Sequence, residues 1–190
     1  MKKVLFTLLV AMACVLTASA QEEVFVKGDK VAHAGFGIGS YLGGSGYTST
    51  VPPVLISAEY GVTDALLNNG KGYVGVGGYM AYSANKYNAG SYNGADYGWK
   101  HSYIIIGARG AFHYQFVDKL DTYAGAMLGY NIASSSYFGN SGYNGASNSV
   151  GGVTYTSFVG ARYYFTDKIA AFGEVGYGIA ALELGVAVKF

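Results

Sequence analysis

Five charged side chains interrupt stretches of the chain that otherwise alternate between apolar and small residues. They are Glu59, Arg109, Arg162, Glu174 and Glu183. Carboxylates and guanidinium groups confined together form ion pairs, because an isolated buried ion is far costlier than a paired one. Such a group of residues can be a structural plug that fixes strand register, or a selectivity ring that lines a pore. Both uses require that the five side chains face a common interior. They lie at similar distances from the short-turn ends of their predicted strands, so we expect them to form one layer.

The three histidines raise the question of nucleophilic catalysis. A serine nucleophile needs a histidine within hydrogen-bond reach, and a carboxylate that orients the histidine. His101 is adjacent to Ser102, but neighbours on a strand point to opposite faces. No Asp or Glu lies on the strand predicted around His113, and His33 has no serine two residues away. We therefore expect that the protein is not an enzyme.

Signatures of cofactors, metals and nucleic acid are weak. The segment "GFGIGS" from Gly35 to Ser40 lacks the third glycine of a dinucleotide fingerprint, and no helical pattern follows it. Clustered His, Asp and Glu residues with metal-ligand spacing are not found. A formal net charge of +1 gives no basic stripe for nucleic acid. We expect no cofactor, no metal and no nucleic-acid partner.

The residues that position the five charges follow a period of two, which indicates β-strands. The predicted strands are 31–43, 54–62, 72–84, 99–116, 122–133, 151–166, 169–179 and 181–190. In the strand 99–116, Ile104, Ile106 and Phe112 share the face opposite Arg109. A cation that faced lipid at mid-depth would cost about 2 to 4 kcal/mol. The separation of charged and aliphatic faces therefore favours a membrane barrel with the five charges in its lumen.

The connections between these strands alternate in length. Short turns contain "VTD", "VDK" and "TDK", whereas polar loops contain "GSGYTSTVPP", "NKYNAGSYNGADYG" and "SSSYFGNSGYNGASNS". Short turns on the side of both termini and long loops on the other side are typical of outer-membrane barrels, although the last long-side loop, near Gly178, is short. Tyr92 and Tyr143 each begin the tetrapeptide "YNGA". Tyrosines among Gly, Ser and Asn favour a ligand-binding role for the loops, and simple solvation of exposed turns explains them equally well.

The first twenty residues are typical of a secretory signal peptide. Lys2 and Lys3 precede an apolar run that contains Cys14, and "ASA" ends at Ala20. The predicted organisation is therefore a signal peptide over residues 1–20 and one barrel domain over residues 21–190. Beyond the signal, no apolar run approaches the length of a membrane-spanning helix.

The end of the chain carries the most specific resemblance. "YYFTDKIAAFGEVGYGIAALELGVAVKF", residues 163–190, resembles the closing hairpins of small eight-stranded outer-membrane β-barrel proteins, the OmpX, OmpW and opacity-type porin family. The resemblance implies a position in the outer membrane of a Gram-negative-type bacterium, with lipid as a partner. It also implies that Phe190, at the end of the last strand, is the signal read by the outer-membrane assembly machinery.

The predicted fold class is all-β, an eight-stranded antiparallel up-and-down transmembrane β-barrel. Eight strands enclose a space that side chains just fill, so we expect a plugged lumen and a structural or surface-interaction role, such as adhesion through an extracellular ligand at the long loops. A narrow pore for small or apolar solutes is the alternative. A secreted lipocalin-like binding barrel is more remote, because its interior is mainly apolar.

Overall fold

The computed structural model of the chain describes residues 23–39, 46–139 and 147–190. The predicted signal peptide and Tyr143 lie outside these residues. The described part contains eight strands. They are β1 (Lys30–Ile38), β2 (Tyr47–Gly61), β3 (Tyr73–Tyr92), β4 (Ala95–Val117), β5 (Leu120–Phe138), β6 (Asn148–Tyr164), β7 (Ile169–Gly176) and β8 (Leu182–Lys189).

The strands form one closed ring. Each strand pairs with the next in antiparallel orientation, and β8 returns to pair with β1, for example at Val186 opposite Ala34. This arrangement confirms the predicted eight-stranded up-and-down barrel. Closure gives β1 and β8 a strand partner on both edges, so that neither exposes the unpaired backbone groups that lipid could not satisfy. No helix in the described residues is long and apolar enough to cross a membrane.

The alternation predicted from the sequence becomes an inner and an outer face. Outward side chains are apolar and exposed, as at Ile106 (52%), Val159 (63%) and Val175 (62%). Inward side chains include Arg109 and Arg162, which are 6% and 0% exposed. An apolar exterior around a charged interior is the reverse of a water-soluble barrel and suits a lipid environment.

The barrel is much taller on one side than on the other. Strands β2 to β6 have 15 to 23 residues, whereas β1, β7 and β8 have eight or nine. The extra length of β2 to β6 lies at the end opposite the termini. We call this end the loop end, the opposite end the terminal end, and the projecting parts of β2 to β6 the wall.

The wall corrects the predicted loop between residues 85 and 98. There β3 and β4 continue as a ladder to a two-residue turn at Asn93 and Gly94, with Tyr92 opposite Ala95. Both turn residues have positive φ, 51° and 78°, which is the backbone of a hairpin turn whose twist matches that of the strands. Asn-Gly is the sequence that favours such turns, so the first "YNGA" marks a hairpin tip rather than a loop.

Candidate functional site

The lumen at the terminal end is organised around Arg162 of β6, whose side chain is fully buried. Its Nε donates to Asp121 Oδ2 at 2.8 Å, and its Nη1 lies 3.1 Å from Glu59 Oε2. Asp121 is the second residue of β5 and Glu59 is near the end of β2, so one guanidinium joins three strands across the barrel. Two carboxylates thus surround one buried cation, an arrangement that leaves neither sign of charge unpaired.

His113 lies in the same cluster and has two carboxylate partners. Its Nε2 is 2.9 Å from Glu59 Oε1, and its Nδ1 is 3.1 Å from Asp121 Oδ1. Arg162 Nη2 also lies 2.9 Å from His113 Nδ1, so the imidazole and the guanidinium share the same two carboxylates. Sequence reasoning missed this role because it sought a carboxylate on the strand of His113, whereas β2 and β5 supply them. Asp121 was missed as well, since it stands at a strand end rather than in mid-strand.

The pairing of His33 with a serine does not create a nucleophile. His33 Nδ1 is 3.0 Å from Ser57 Oγ, and His33 Nε2 is 3.2 Å from Arg162 Nη1. Because a guanidinium only donates, Nε2 accepts and the ring proton is on Nδ1, directed at Ser57. His33 therefore cannot take a proton from Ser57 through this contact, as a general base must.

A second cluster lies on the loop-end side of the first. Arg109 Nη2 is 2.7 Å from Glu174 Oε2, and the Arg109 guanidinium lies over the ring of Phe158 at 3.9 Å. Glu183 accepts a hydrogen bond of 2.6 Å from the Tyr79 hydroxyl. The five charges expected in one layer are thus placed in two groups: Glu59 and Arg162 in the first, and Arg109, Glu174 and Glu183 in the second. Tyr79 is a member that the charge pattern did not indicate.

Buried side chains lie near both ends of the lumen. At the terminal end, residues 23–29 fold into the opening, and the buried ring of Phe25 stacks on His113 with centroids 4.0 Å apart. At the loop end, the connection between β7 and β8 turns inward, so that Ile179 and Ala180 are 2% and 3% exposed.

Hydrogen bonds and ion pairs hold residues 23–29, which we call the terminal segment, in place. The Val24 amide donates to Gln115 Oε1 at 2.7 Å, and Lys189 Nζ donates to the Val24 carbonyl at 3.3 Å. Lys71 Nζ lies 3.7 Å from Glu23 Oε1. Burial raises the pKa of the Glu23 carboxyl, an effect that Lys71 partly opposes. The segment is therefore attached to several strands and not to the end of β1 alone.

A small cavity lies in the lumen beside the second cluster. A cavity of about 20 Å³ is lined by Arg109, Glu174, Glu183 and Ile179, which is room for about one water molecule. Arg109 Nε and Glu183 Oε2 have no protein hydrogen-bond partner within the described part of the chain. The cavity thus has the size of a hydration site beside these two polar atoms.

The inner face of the wall carries a continuous row of aromatic side chains. Tyr47 of β2 is opposite Tyr87 of β3, Tyr87 is opposite Trp99 of β4, and Trp99 is opposite Tyr137 of β5. Ring centroids are 5.3 Å apart in the pair Tyr47–Tyr87 and 5.6 Å apart in Trp99–Tyr137. We call these four residues the aromatic row. All four were assigned to loops or to the end of a strand, so their alignment was not foreseen.

A histidine and a serine lie next to the aromatic row. His101 Nδ1 is 2.7 Å from Ser135 Oγ, a distance that suits a base and a nucleophile. The Tyr47 ring packs against His101 with centroids 5.3 Å apart, and no carboxylate of the described residues is hydrogen-bonded to this histidine. Across residues 23–39, 46–139 and 147–190, no group of three His, Cys, Asp or Glu side chains is arranged to hold a metal ion.

Among the comparisons with known proteins, only those with solved structures find similar proteins, and these share the fold of this chain. No protein-family model matches the sequence, and no curated protein matches it in sequence. Among solved structures, Ail, the attachment invasion locus protein of Yersinia pestis, in complex with the heparin analogue sucrose octasulfate, has a TM-score of 0.53 at 11% identity, over 87% of this chain and 100% of that chain. Neisserial surface protein A has a TM-score of 0.45 at 20% identity, over 85% and 94%. The fold of this chain is that of the small eight-stranded outer-membrane barrels.

Proposed function

We propose that the protein is an integral outer-membrane barrel that acts at the cell surface through the inner face of its wall. The observation that carries the proposal is the aromatic row, which four neighbouring strands present above a lumen closed by Ile179. In this proposal the barrel supports the wall, and the lumen has no transport role.

Residue placement supports membrane insertion. The exposed outer face is apolar on every side, and the arginines of the barrel face inward. Short turns at the terminal end and a tall loop end correspond to the periplasmic and outer sides of such barrels. We infer that residues 1–20 export the chain and that Phe190 serves the assembly machinery. The Phe190 side chain is 69% exposed beyond the end of β8, where another molecule could contact it.

We infer that the ion-pair clusters are structural. Arg109 and Arg162 each contact a carboxylate, and both lie between the closures made by Phe25 and Ile179. A selectivity ring would need charges that face open water. The protein is also proposed to be non-catalytic, since the ring proton of His33 is directed at Ser57 and no carboxylate of the described residues orients His101.

The residue types of the aromatic row support the proposal that the wall binds a ligand. Tyr and Trp combine large contact area with a polar group and lose little conformational entropy on binding, so they dominate many recognition surfaces. Tyr47 and Tyr87 are 37% and 39% exposed and are therefore accessible. Ail is described in complex with a heparin analogue. By analogy of fold we propose that this chain also binds an extracellular ligand at its loop end, with aromatic rings as the contact surface.

Two measurements test the proposal. Residues 21–190 are refolded into a planar bilayer, with insertion verified by heat-modifiable gel migration, and single-channel current is recorded. A silent barrel is expected, whereas defined current steps would replace the proposal with the narrow pore.

Adhesion is then measured for cells that display the full chain, on surfaces coated with laminin, fibronectin, collagen or mucin. Trp99→Ala with Tyr137→Ala should lower adhesion at least about fivefold. Phe138→Ala, on the outer face of the same strand as Tyr137, is the matched control. Equal adhesion of both variants would remove the wall from the proposed function.

A further inference from the structure

The loop end has only two cationic side chains. Of the 12 Lys and Arg residues in the sequence, two lie in the predicted signal peptide and two, Arg109 and Arg162, in the lumen. Six lysines lie on the terminal segment, the terminal-end connections or adjoining strand ends: Lys27, Lys30, Lys71, Lys119, Lys168 and Lys189. Lys86 of β3 and Lys100 of β4 are left, and they stand directly opposite each other in the ladder.

Both lysines point away from the aromatic row. On β4, Lys100 has the same parity as Ile104 and Ile106, which face outward, and Lys86 has the parity of Met80 on β3. Like charges directly opposite each other on one face of a sheet destabilise the pair. An anion between the two ammonium groups would therefore relieve the repulsion between Lys86 and Lys100.

The protein supplies no carboxylate for this purpose. Asp96 is the acidic residue of the wall, and its Oδ1 accepts a hydrogen bond of 2.7 Å from Ser91 Oγ. It lies four residues from Lys100 along β4, which is about 13 Å of strand. Lys86 Nζ instead lies 4.9 Å from the centroid of the Phe138 ring, a contact that positions the cation but leaves its charge uncompensated.

Lys86 and Lys100 lie at the height of the headgroup region of a bilayer. We call the ring of exposed apolar side chains on the outer face the outer apolar belt. On β3 and β4 this belt ends at Tyr82 and Ile104, which are opposite each other, and each lysine lies four residues farther along its strand. Four residues on a strand tilted by about 40° rise about 10 Å. The headgroup region extends about 5 to 8 Å beyond the hydrocarbon, and a lysine chain can bend back toward it. Both ammonium groups therefore reach lipid phosphates.

We propose that Lys86 and Lys100 form a binding site for the phosphate of an anionic lipid in the outer leaflet. Two ammonium groups match the one or two negative charges of a phosphate ester. Ser136, opposite Lys100, and Ser102 are on the same outer face and offer hydroxyl donors beside it. The inference rests on the proposed insertion of the barrel, and its ligand differs from the one proposed for the aromatic row.

The test compares lipid environments around the folded protein. Residues 21–190 are inserted into phosphatidylcholine vesicles with increasing fractions of diphosphoryl lipid A, and the midpoint of thermal unfolding is read from heat-modifiable migration. Lipid A should raise the midpoint of the wild type. In K86Q with K100Q, the lipid A fraction that gives half of this rise should increase at least about tenfold, since each lysine near an anionic surface contributes about fivefold in partitioning. K119Q with K168Q is the matched control at the terminal end.

Each outcome decides a specific point. If the protein does not insert at all, the proposed function fails first and the lipid site with it. If the protein inserts and both double variants respond to lipid A as the wild type does, Lys86 and Lys100 do not form a lipid-binding site. Inorganic phosphate and sucrose octasulfate are added to protein in pure phosphatidylcholine as a further arm. A shift with these soluble anions and none with lipid A would assign the lysines to a ligand from the water side and overturn the proposal.

Discussion

Phe25 stacks on the imidazole of His113 with ring centroids 4.0 Å apart and planes inclined by 29°. The same ring lies 5.0 Å from the guanidinium of Arg162. Phe25 thus covers both the His113 ring and the Arg162 guanidinium on the side where the barrel opens at the terminal end. Residues 23–29 and the buried ion pairs are therefore in direct contact, and we expect a change in one to alter the stability of the other.

Removal of this cover should destabilise the barrel. Phe25→Ala leaves a cavity over the cluster and admits water to Arg162, and loss of a buried phenylalanine typically costs about 3 to 5 kcal/mol. The expected result is a lower midpoint of thermal unfolding in detergent, read from heat-modifiable migration. Val26→Ala, in the same segment but only half-buried, should have a much smaller effect. An unchanged midpoint in Phe25→Ala would show that the segment does not stabilise the barrel.

The two lumen arginines should differ in importance. Arg162→Leu leaves Glu59 and Asp121 without their shared cation, and breaking a buried ion pair costs about 3 to 5 kcal/mol. Arg109→Leu leaves one carboxylate, Glu174, unpaired and should cost less. The unfolding midpoints of the two variants, compared with the wild type, measure the difference. Glu59→Gln with Asp121→Asn should restore part of the stability of Arg162→Leu, whereas equal losses for the two arginines would contradict the two-cluster arrangement.

A charged residue in the outer apolar belt should impair membrane insertion. Val175, 62% exposed on the outer face, faces the proposed hydrocarbon, so Val175→Arg should cost about 2 to 4 kcal/mol. The yield of folded protein in vesicles, read from gel migration, should fall. Val150→Arg is the matched control, because Val150 is 64% exposed but is opposite Ala133 on the inner face of the wall. Equal yields would show that the outer face does not contact lipid.

The hairpin tip depends on its two turn residues. Gly94 has φ of 78°, and a β-branched side chain there is strained, so Gly94→Val should loosen the end of the β3–β4 hairpin. Limited proteolysis of the inserted protein should produce a cut near residue 94 in this variant and not in the wild type. Ala95→Val, at the adjacent ladder position, should remain resistant. The unfolding midpoint of the barrel should change little, because the tip is far from the lumen.

Local chemistry explains why much of the fold was predictable. Alternation along a strand is a property of neighbouring residues, so the outward face of Ile104 and Ile106 and the inward face of Arg109 followed from their spacing alone. The turn at Asn93 and Gly94 was also encoded locally. It was missed because the polar residues around it were interpreted as a loop, although a wall outside the membrane needs no apolar outer face.

The sequence by itself determined the number of strands, their two faces and five of the charges that share the interior. Only the tertiary structure decided which of these residues meet. Glu59 and Asp121 reach His113, and Tyr47, Tyr87, Trp99 and Tyr137 form one row, because the register of every ladder is set jointly by closure of the ring. Register is a relation between distant strands, and a one-residue shift would reverse every face, so no single segment can specify it. For the same reason Phe25, which lies before the first strand, gave no local sign that it would close the barrel.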